Sequence, residues 1–325
     1  MGTRNDVILR VEDLKTYFFL RRGVLKAVDG VSFKLRQGEV LGLVGESGCG
    51  KSVACRSILR LVPSPGKIVA GKIIFENENL LEKNSRDMRQ LRGRKISMIL
   101  QDPSSSLNPV LSIGNQVAEA IKIKQRLDKA DLWKAVKEML ELLRFPAPEK
   151  RLRDYPHQLS GGMNQRVVGA IALSATPKLL LADEPTTALD VTTQAQFILE
   201  LRRLQKQFGL SMIFVTHDLG IVETICDRVC VMYAGKIVEQ APVDELFNTP
   251  LHPYTVGLLS SLPQLGKKVD TLPTIPGEPP LLLNLPPGCV YFPRCPMSKP
   301  RCENELPPEV IVSEDHLVRC WDVSS

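Results

Sequence analysis

No run of 18 apolar residues occurs anywhere in this chain, so no segment is expected to cross a membrane as a helix. The opening residues Met1-Gly2-Thr3-Arg4-Asn5-Asp6 have neither an apolar core nor a cleavage pattern, so they are not expected to act as a secretory signal. The expected compartment is the cytosol. There, eight cysteines are more readily reduced or metal-bound than paired in disulfides. A net charge of +6, spread along the chain, is too small an excess to call for a nucleic-acid partner. Aromatics are scarce, at 5%, so any aromatic cluster stands out. Proline is sparse up to about residue 250 and dense beyond it. What remains is ordinary: 43% apolar residues can build a sizeable core, and 325 residues suit two domains, or one large domain with an appendage.

The chain is organised around Gly45-Glu46-Ser47-Gly48-Cys49-Gly50-Lys51-Ser52, which fits the pattern G-x-x-x-x-G-K-[ST] of a phosphate-binding loop. Its three glycines let the backbone curl with N–H groups turned inward as an anion nest. Lys51 can reach the β- and γ-phosphates, and the Ser52 hydroxyl can ligate Mg²⁺. Val40 to Val44 reads as a buried strand entering the loop, and Ser52 to Leu61 as a helix leaving it. A nucleotide would therefore sit on a helix N-terminus, with Val53 in the first turn. The loop by itself does not choose among kinases, GTPases and ATPases.

Along the chain, Val7 to Val11 reads as a first strand, followed by the aromatic stretch Leu14 to Phe19, a turn at Arg21-Arg22-Gly23 and a strand over Val28 to Leu35. The aromatics are either core or, in one case, a platform for a base. Ile96 to Leu100 is a buried strand ending at Gln101-Asp102-Pro103. Helical spacing over Ile113–Lys124 and Asp128–Leu143 interrupts the strands and marks an inserted helical subdomain; Asp128 is placed as an N-cap. Ser160-Gly161-Gly162 opens another helix, either as a plain cap or as a bare N-terminus able to take an anion. Leu179 to Ala182 is a buried strand ending in Asp183-Glu184, one carboxylate able to serve Mg²⁺ and the other to polarise a water. Ser211 to Val215 is a core strand ending at Thr216-His217; His217 is structural or, at a strand end of an α/β protein, part of a site. Val229–Tyr233 and Lys236–Glu239 close a hairpin.

Beyond residue 250 helix content should be low, apart from a short helix near Tyr254 to Ser261. Cys289, Cys295, Cys302 and Cys320 fall here, separated by five, six and seventeen residues. A small proline-rich module needs a staple, and four thiolates could hold one metal or cluster. The spacing matches neither a zinc finger nor the common ferredoxin pattern. The other four cysteines read as small core or loop residues.

Together these motifs, in this order, make the chain resemble the nucleotide-binding subunit of an ABC transporter over nearly its full length. The resemblance implies an α/β fold, a P-loop NTPase with a RecA-like core, an antiparallel β subdomain and an inserted helical subdomain at about 102–158. It makes 1–250 the nucleotide-binding domain. Gln101 matches the glutamine that touches Mg²⁺, Leu159–Gln165 the signature motif with Met163 where Gln is usual, and Leu179–Glu184 the Walker B strand. Ala188-Leu189-Asp190 matches the D-loop, and His217 the switch histidine. ATP would be held by Gly45 through Val53 and stacked by Phe18, with Tyr17 as its rival. Mg²⁺ would be held by Ser52, Gln101 and Asp183. Glu184, His217 and Gln101 would serve catalysis. Ser160, Gly161 and Gly162 would clamp the γ-phosphate of ATP on an opposite subunit.

Gln101 through Pro109, His252-Pro253-Tyr254-Thr255 and the four late cysteines resemble the branch that imports di- and oligopeptides, with nickel and cello-oligosaccharide importers as alternatives. In that branch, residues 251–325 form a small irregular Cys/Pro-rich domain whose four cysteines hold a [4Fe–4S] cluster, with zinc as the alternative metal. The implied partners are a second ATPase subunit, identical or paralogous, two membrane permease subunits and, indirectly, a solute-binding protein. The implied place is peripheral, on the cytoplasmic face of the cell membrane. A reading of a different class is a soluble non-transport ABC ATPase; those usually carry two nucleotide domains or long coiled coils, and this chain has neither.

Overall fold

The computed structural model of the chain describes residues 6–124, 126–187, 189–262 and 273–323. They form two compact units, each assembled from separate stretches. The first holds Arg36–Glu39 and Glu82–Val215; the second holds Val7–Leu35, Val40–Leu81 and the chain from Thr216 onward.

The first unit has a parallel sheet, with Ile96–Ile99 beside Leu179–Asp183 and Leu179–Asp183 beside Ser211–Thr216. These strands read as unbroken apolar runs because helices cover parallel sheets on both faces; every residue of Leu179–Asp183 is buried. The helix Lys129–Leu142 begins at Asp128, whose carboxylate accepts from Asp131 N–H at 2.9 Å, as the sequence predicts. It buries Leu132, Val136 and Leu140, spaced by four, while Met139 lies half-buried at the margin of that stripe. Each such leucine contributes about 1.5–3 kcal/mol of burial. The helix Val191–Phe208 stops at Gly209, whose φ of 60° is the left-handed conformation that ends helices.

The second unit contains a four-stranded antiparallel sheet in the order Gly23–Arg36, Val7–Leu20, Gly66–Phe75, Glu78–Asn79. The aromatic stretch is not a separate segment, because Val7–Leu20 is one strand of 14 residues. A bulge makes this continuity possible. Asp13 takes a φ of 44°, and the register shifts between Glu12 and Lys15, which breaks the alternation without ending the strand. The second sheet segment places Val40–Val44 parallel to Arg228–Tyr233, followed by antiparallel Lys236–Pro242, Leu317–Val318 and Val310–Ile311. The proline-rich region therefore does more than the sequence predicts: it adds edge strands and buries Tyr254, Val290, Tyr291 and Val318. The short helix there runs Pro253–Ser260.

One buried carboxylate fastens that region. The side chain of Glu239, fully buried on the strand Lys236–Pro242, accepts from Leu251 N–H at 2.8 Å and His252 N–H at 3.0 Å. His316 Nε2 meets the same carboxylate at 2.8 Å.

Candidate functional site

In the second unit the phosphate loop leaves the buried strand Val40–Val44 and opens the helix Lys51–Ile58. Two of its glycines are required by close approach. A Cβ at Gly45 would stand 2.0 Å from the Met232 carbonyl oxygen, and one at Gly50 would stand 2.0 Å from that of Ala27. Gly50 is the helix N-cap with a φ of 108°, and its helix has no side-chain cap hydrogen bond; a helix N-terminus of this kind favours an anion. Ser47 and Gly48 are exposed, Lys51 is buried, and Ser52 and Val53 are half-buried in the first turn. The Lys51 ammonium donates to the carbonyls of Gly45 at 2.7 Å and Glu46 at 3.0 Å. Cys49 is buried, and burial pushes its thiol pKa up.

Phe18 is half-buried near the end of its strand, with its ring within reach of Gly66: a Cβ there would stand 2.7 Å from Phe18 Cε1. Two residues earlier, the Thr16 and Ser57 hydroxyls meet at 2.8 Å and tie the strand to the helix that leaves the loop. Tyr17 is engaged elsewhere. Its hydroxyl donates to Asp29 at 2.6 Å, and Lys236 donates to the same carboxylate at 2.8 Å. His217 is exposed, directly after the strand Ser211–Thr216.

In the first unit, Asp183 ends its strand at 1% exposure. Glu184 leaves the strand through a left-handed φ of 45°, a conformation that costs energy in a non-glycine residue and is held here by the bond from Glu184 N–H to the Val215 carbonyl at 3.0 Å. Gln101 Nε2 donates to the Glu184 carboxylate at 3.1 Å, so the structure brings together two residues that lie 83 positions apart. Thr187 Oγ1 meets the same oxygen at 3.1 Å. Sequence reasoning missed Thr187; its only signal was its place three residues after Glu184.

Ser160 caps the helix Gly161–Leu173, accepting from Met163 N–H at 3.4 Å; Ser160 and Gly161 are exposed. Gly162 packs closely, since a Cβ there would stand 2.7 Å from Thr193 Cγ2. Asp190 caps the helix Val191–Phe208 by accepting from Thr193 N–H at 3.0 Å, a bond that lowers its pKa. The signature turn and Asp190 thus meet around Thr193. Ala188, assigned to the D-loop, lies outside the described residues.

Cys289, Cys295, Cys302 and Cys320 line one cavity of about 20 Å³ with His252, Tyr291 and Trp321 among its other walls. The Cys289 N–H donates to the Cys302 carbonyl at 2.8 Å. Burial pushes the Cys289 thiol up to about 11, with further upward pushes from the other three cysteines; Cys295 and Cys320 are also raised by burial. Among the described residues, no three His, Cys, Asp or Glu side chains stand close enough to hold one metal ion.

A glycine loop between a buried strand and a helix N-terminus, and a parallel strand ending in a buried Asp and a held Glu, define a P-loop ATPase cassette. The sequence profile described as ABC transporter matches residues 28–187, and that described as the oligopeptide/dipeptide transporter C-terminal region matches residues 238–302. The chain is similar to a probable peptide ABC transporter ATP-binding protein of Sinorhizobium fredii, at 48% identity over 97% of this chain and 95% of that protein. It is 47% identical to the oligopeptide transport ATP-binding protein AppD of Bacillus subtilis, over 97% of each. It is 44% identical to OppD of Salmonella typhimurium, over 97% of this chain and 94% of that one. Among solved structures it resembles the dimeric bacterial ABC transporter cassette MJ0796, with a TM-score of 0.66 and 25% identity over 72% of this chain and 98% of that one. It also resembles cbiO1 of Clostridium perfringens, with a TM-score of 0.63 and 29% identity over 75% and 92%. The chain belongs to the ABC transporter ATP-binding proteins that carry the oligopeptide/dipeptide transporter C-terminal region. It is an ATPase. No helix among the described residues is long and apolar enough to cross a membrane.

Proposed function

We propose that this chain is the ATP-hydrolysing subunit that powers import of di- or oligopeptides. The observation that carries this reading is identity of 44–48% along 97% of the chain to proteins named for peptide transport, with the C-terminal region included. Its partners are a second ATPase subunit, two membrane permease subunits and, through them, a solute-binding protein. Its place is the cytoplasmic face of the membrane. Residues 1–250 act as the nucleotide-binding domain, with a helical subdomain at about 102–158, and residues 251–325 as the C-terminal domain.

In this reading Gly45 through Val53 bind the phosphates of ATP, and Phe18 stacks on the base. Phe18 is favoured over Tyr17 because the Tyr17 hydroxyl is committed to Asp29. Glu184 polarises the attacking water; Gln101 and Thr187 hold its carboxylate in place. His217 holds the γ-phosphate. Ser160, Gly161 and Gly162 engage the ATP of the opposite subunit through the N-terminus of a 13-residue helix. Ser52, Gln101 and the buried carboxylate of Asp183 are hard oxygen donors of the kind Mg²⁺ takes; they would hold the ion, which would supply positive charge against the phosphates. A fall of hydrolysis to background in Glu184→Gln, with ATP binding retained, tests the catalytic role. Cells lacking this chain should lose uptake of labelled peptides and regain it with the parent but not with Glu184→Gln. Unaltered peptide uptake in the deletion strain would leave an ATPase with another solute.

The four late cysteines fit a [4Fe–4S] cluster. Their thiols line one cavity, and as thiolates they would be soft donors that could each hold a separate iron of such a cluster, so no three need converge on one ion. The bound cluster would act as a staple for a proline-rich module. Anaerobically purified protein should be brown and hold about four irons per chain. One zinc per chain would keep the ligands and change the metal, and no metal would remove the site.

A further inference from the structure

The phosphate loop carries an acid. Glu46 is its second residue, and a carboxylate beside the place where a polyphosphate must bind opposes that binding. The structure answers this charge from the far end of the chain. Arg294, on the turn Phe292–Arg294 that leads into Cys295, grips Glu46 with both arms of its guanidinium: Nη1 to Oε2 at 2.7 Å and Nη2 to Oε1 at 3.0 Å. The arginine side chain is 4% exposed and the glutamate 26%. Arg294 is itself fixed, since Nε donates to the Pro276 carbonyl at 2.9 Å and Nη1 to the Tyr233 hydroxyl at 3.3 Å. The backbone of Glu46 is held too, its N–H donating to the Tyr254 hydroxyl at 2.9 Å. Tyr233, Tyr254 and Tyr291 pack ring against ring with centroids 4.6–5.4 Å apart, so both anchors stand on one rigid aromatic cluster.

We propose that Arg294 and Tyr254 are positioning residues of the phosphate loop: they fix Glu46 and mask its charge, so that the C-terminal region prepares the loop for ATP. A forked, desolvated guanidinium suits this work because it holds the carboxylate in one orientation. Masking and mere structural support give different results. If Arg294 only stabilises the fold, its loss lowers the melting temperature and leaves the affinity of the folded chain alone. If it masks Glu46, its loss weakens ATP binding, and neutralising Glu46 restores it.

The proposal rests on Gly45–Ser52 binding the phosphates of ATP. The test is an equilibrium titration of the full chain with a fluorescent ATP analogue and Mg²⁺, at low and high salt. Arg294→Ala should raise the Kd by about tenfold at low salt, the scale of one close charge–charge interaction near a surface. The deficit relative to the parent should shrink as salt screens it. The double variant Glu46→Gln/Arg294→Ala should return to within about threefold of the parent, because the two changes are coupled. Arg294→Ala binding like the parent, or a loss that Glu46→Gln does not repair, overturns the proposal. Should Arg294→Ala not fold, Arg294→Gln and Arg294→Lys decide: a low-salt loss of affinity in Arg294→Gln that Arg294→Lys, which keeps the charge, largely avoids supports masking, and equal losses or none overturn it. A parent chain that bound no ATP would overturn the reading of the loop itself.

Discussion

Replacing Glu239 with alanine should loosen the whole C-terminal region. The carboxylate is fully buried and serves three partners: Leu251 N–H at 2.8 Å, His252 N–H at 3.0 Å and His316 Nε2 at 2.8 Å. A hydrogen bond to a charged acceptor contributes about 1.5–3 kcal/mol, which would sum to roughly 5–9 kcal/mol for three. Water entering the space left by alanine recovers part of that for the two backbone groups. The expected loss is therefore about 3–5 kcal/mol, the usual cost of removing one partner from a buried charged cluster. Glu239→Gln should cost less, because the amide keeps the shape and one acceptor. Urea unfolding of the full chain measures the loss, and the melting temperature should fall by about 10 °C. Hydrogen exchange should rise first at the amides of Leu251, His252 and Val318. A loss below about 1 kcal/mol, or exchange rising evenly over the chain, would refute the claim that this carboxylate fastens the region.

Lys51→Ala removes a buried ammonium that faces the loop carbonyls, so ATP affinity should fall by at least about tenfold; titration showing parental affinity would count against the loop. Ser160→Arg or Gly161→Asp should leave ATP binding by the variant chain nearly intact and stop ATP-driven dimerisation, read by size-exclusion in a Glu184→Gln background. Burial pushes the His252 imidazole down to about 3. The unfolded chain takes up a proton below about 6.5, which the native state refuses until about pH 3. This group's contribution is therefore complete above about pH 6.5 and is lost progressively as pH falls toward 3. His252→Asn keeps an acceptor for Tyr254 N–H and should flatten that slope, as pH-dependent urea midpoints would reveal.

The motifs that place the chain in its family were legible because each is local. A glycine-rich turn between an apolar strand and a helix, an acidic pair after an apolar run, and a serine ahead of two glycines each leave their mark within eight residues or fewer. Elements were legible where periodicity was strong, as in the stripe Leu132, Val136 and Leu140 under an Asp128 cap. Two features blurred the reading. The bulge at Asp13 broke the alternation of Val7–Leu20 and hid a single long strand. Proline density beyond residue 250 concealed the edge strand Leu317–Val318, whose two residues are too few to carry a period.

The residues alone were enough to place the chain in its family, and through the family to propose a loop for phosphates, Glu184 for water and one soft site for the four late thiols. Those assignments depend on residue type and short spacing, which a chain carries before it folds. Which side chain holds which is a property of the fold. Arg294 reaches Glu46 across 248 residues, His316 reaches Glu239 across 77, and Gln101 reaches Glu184 across 83. No local pattern announces such pairs. Each is selected by the desolvation of a charge at a place that exists only once the sheets have formed, and by the cost of leaving that charge without its partner.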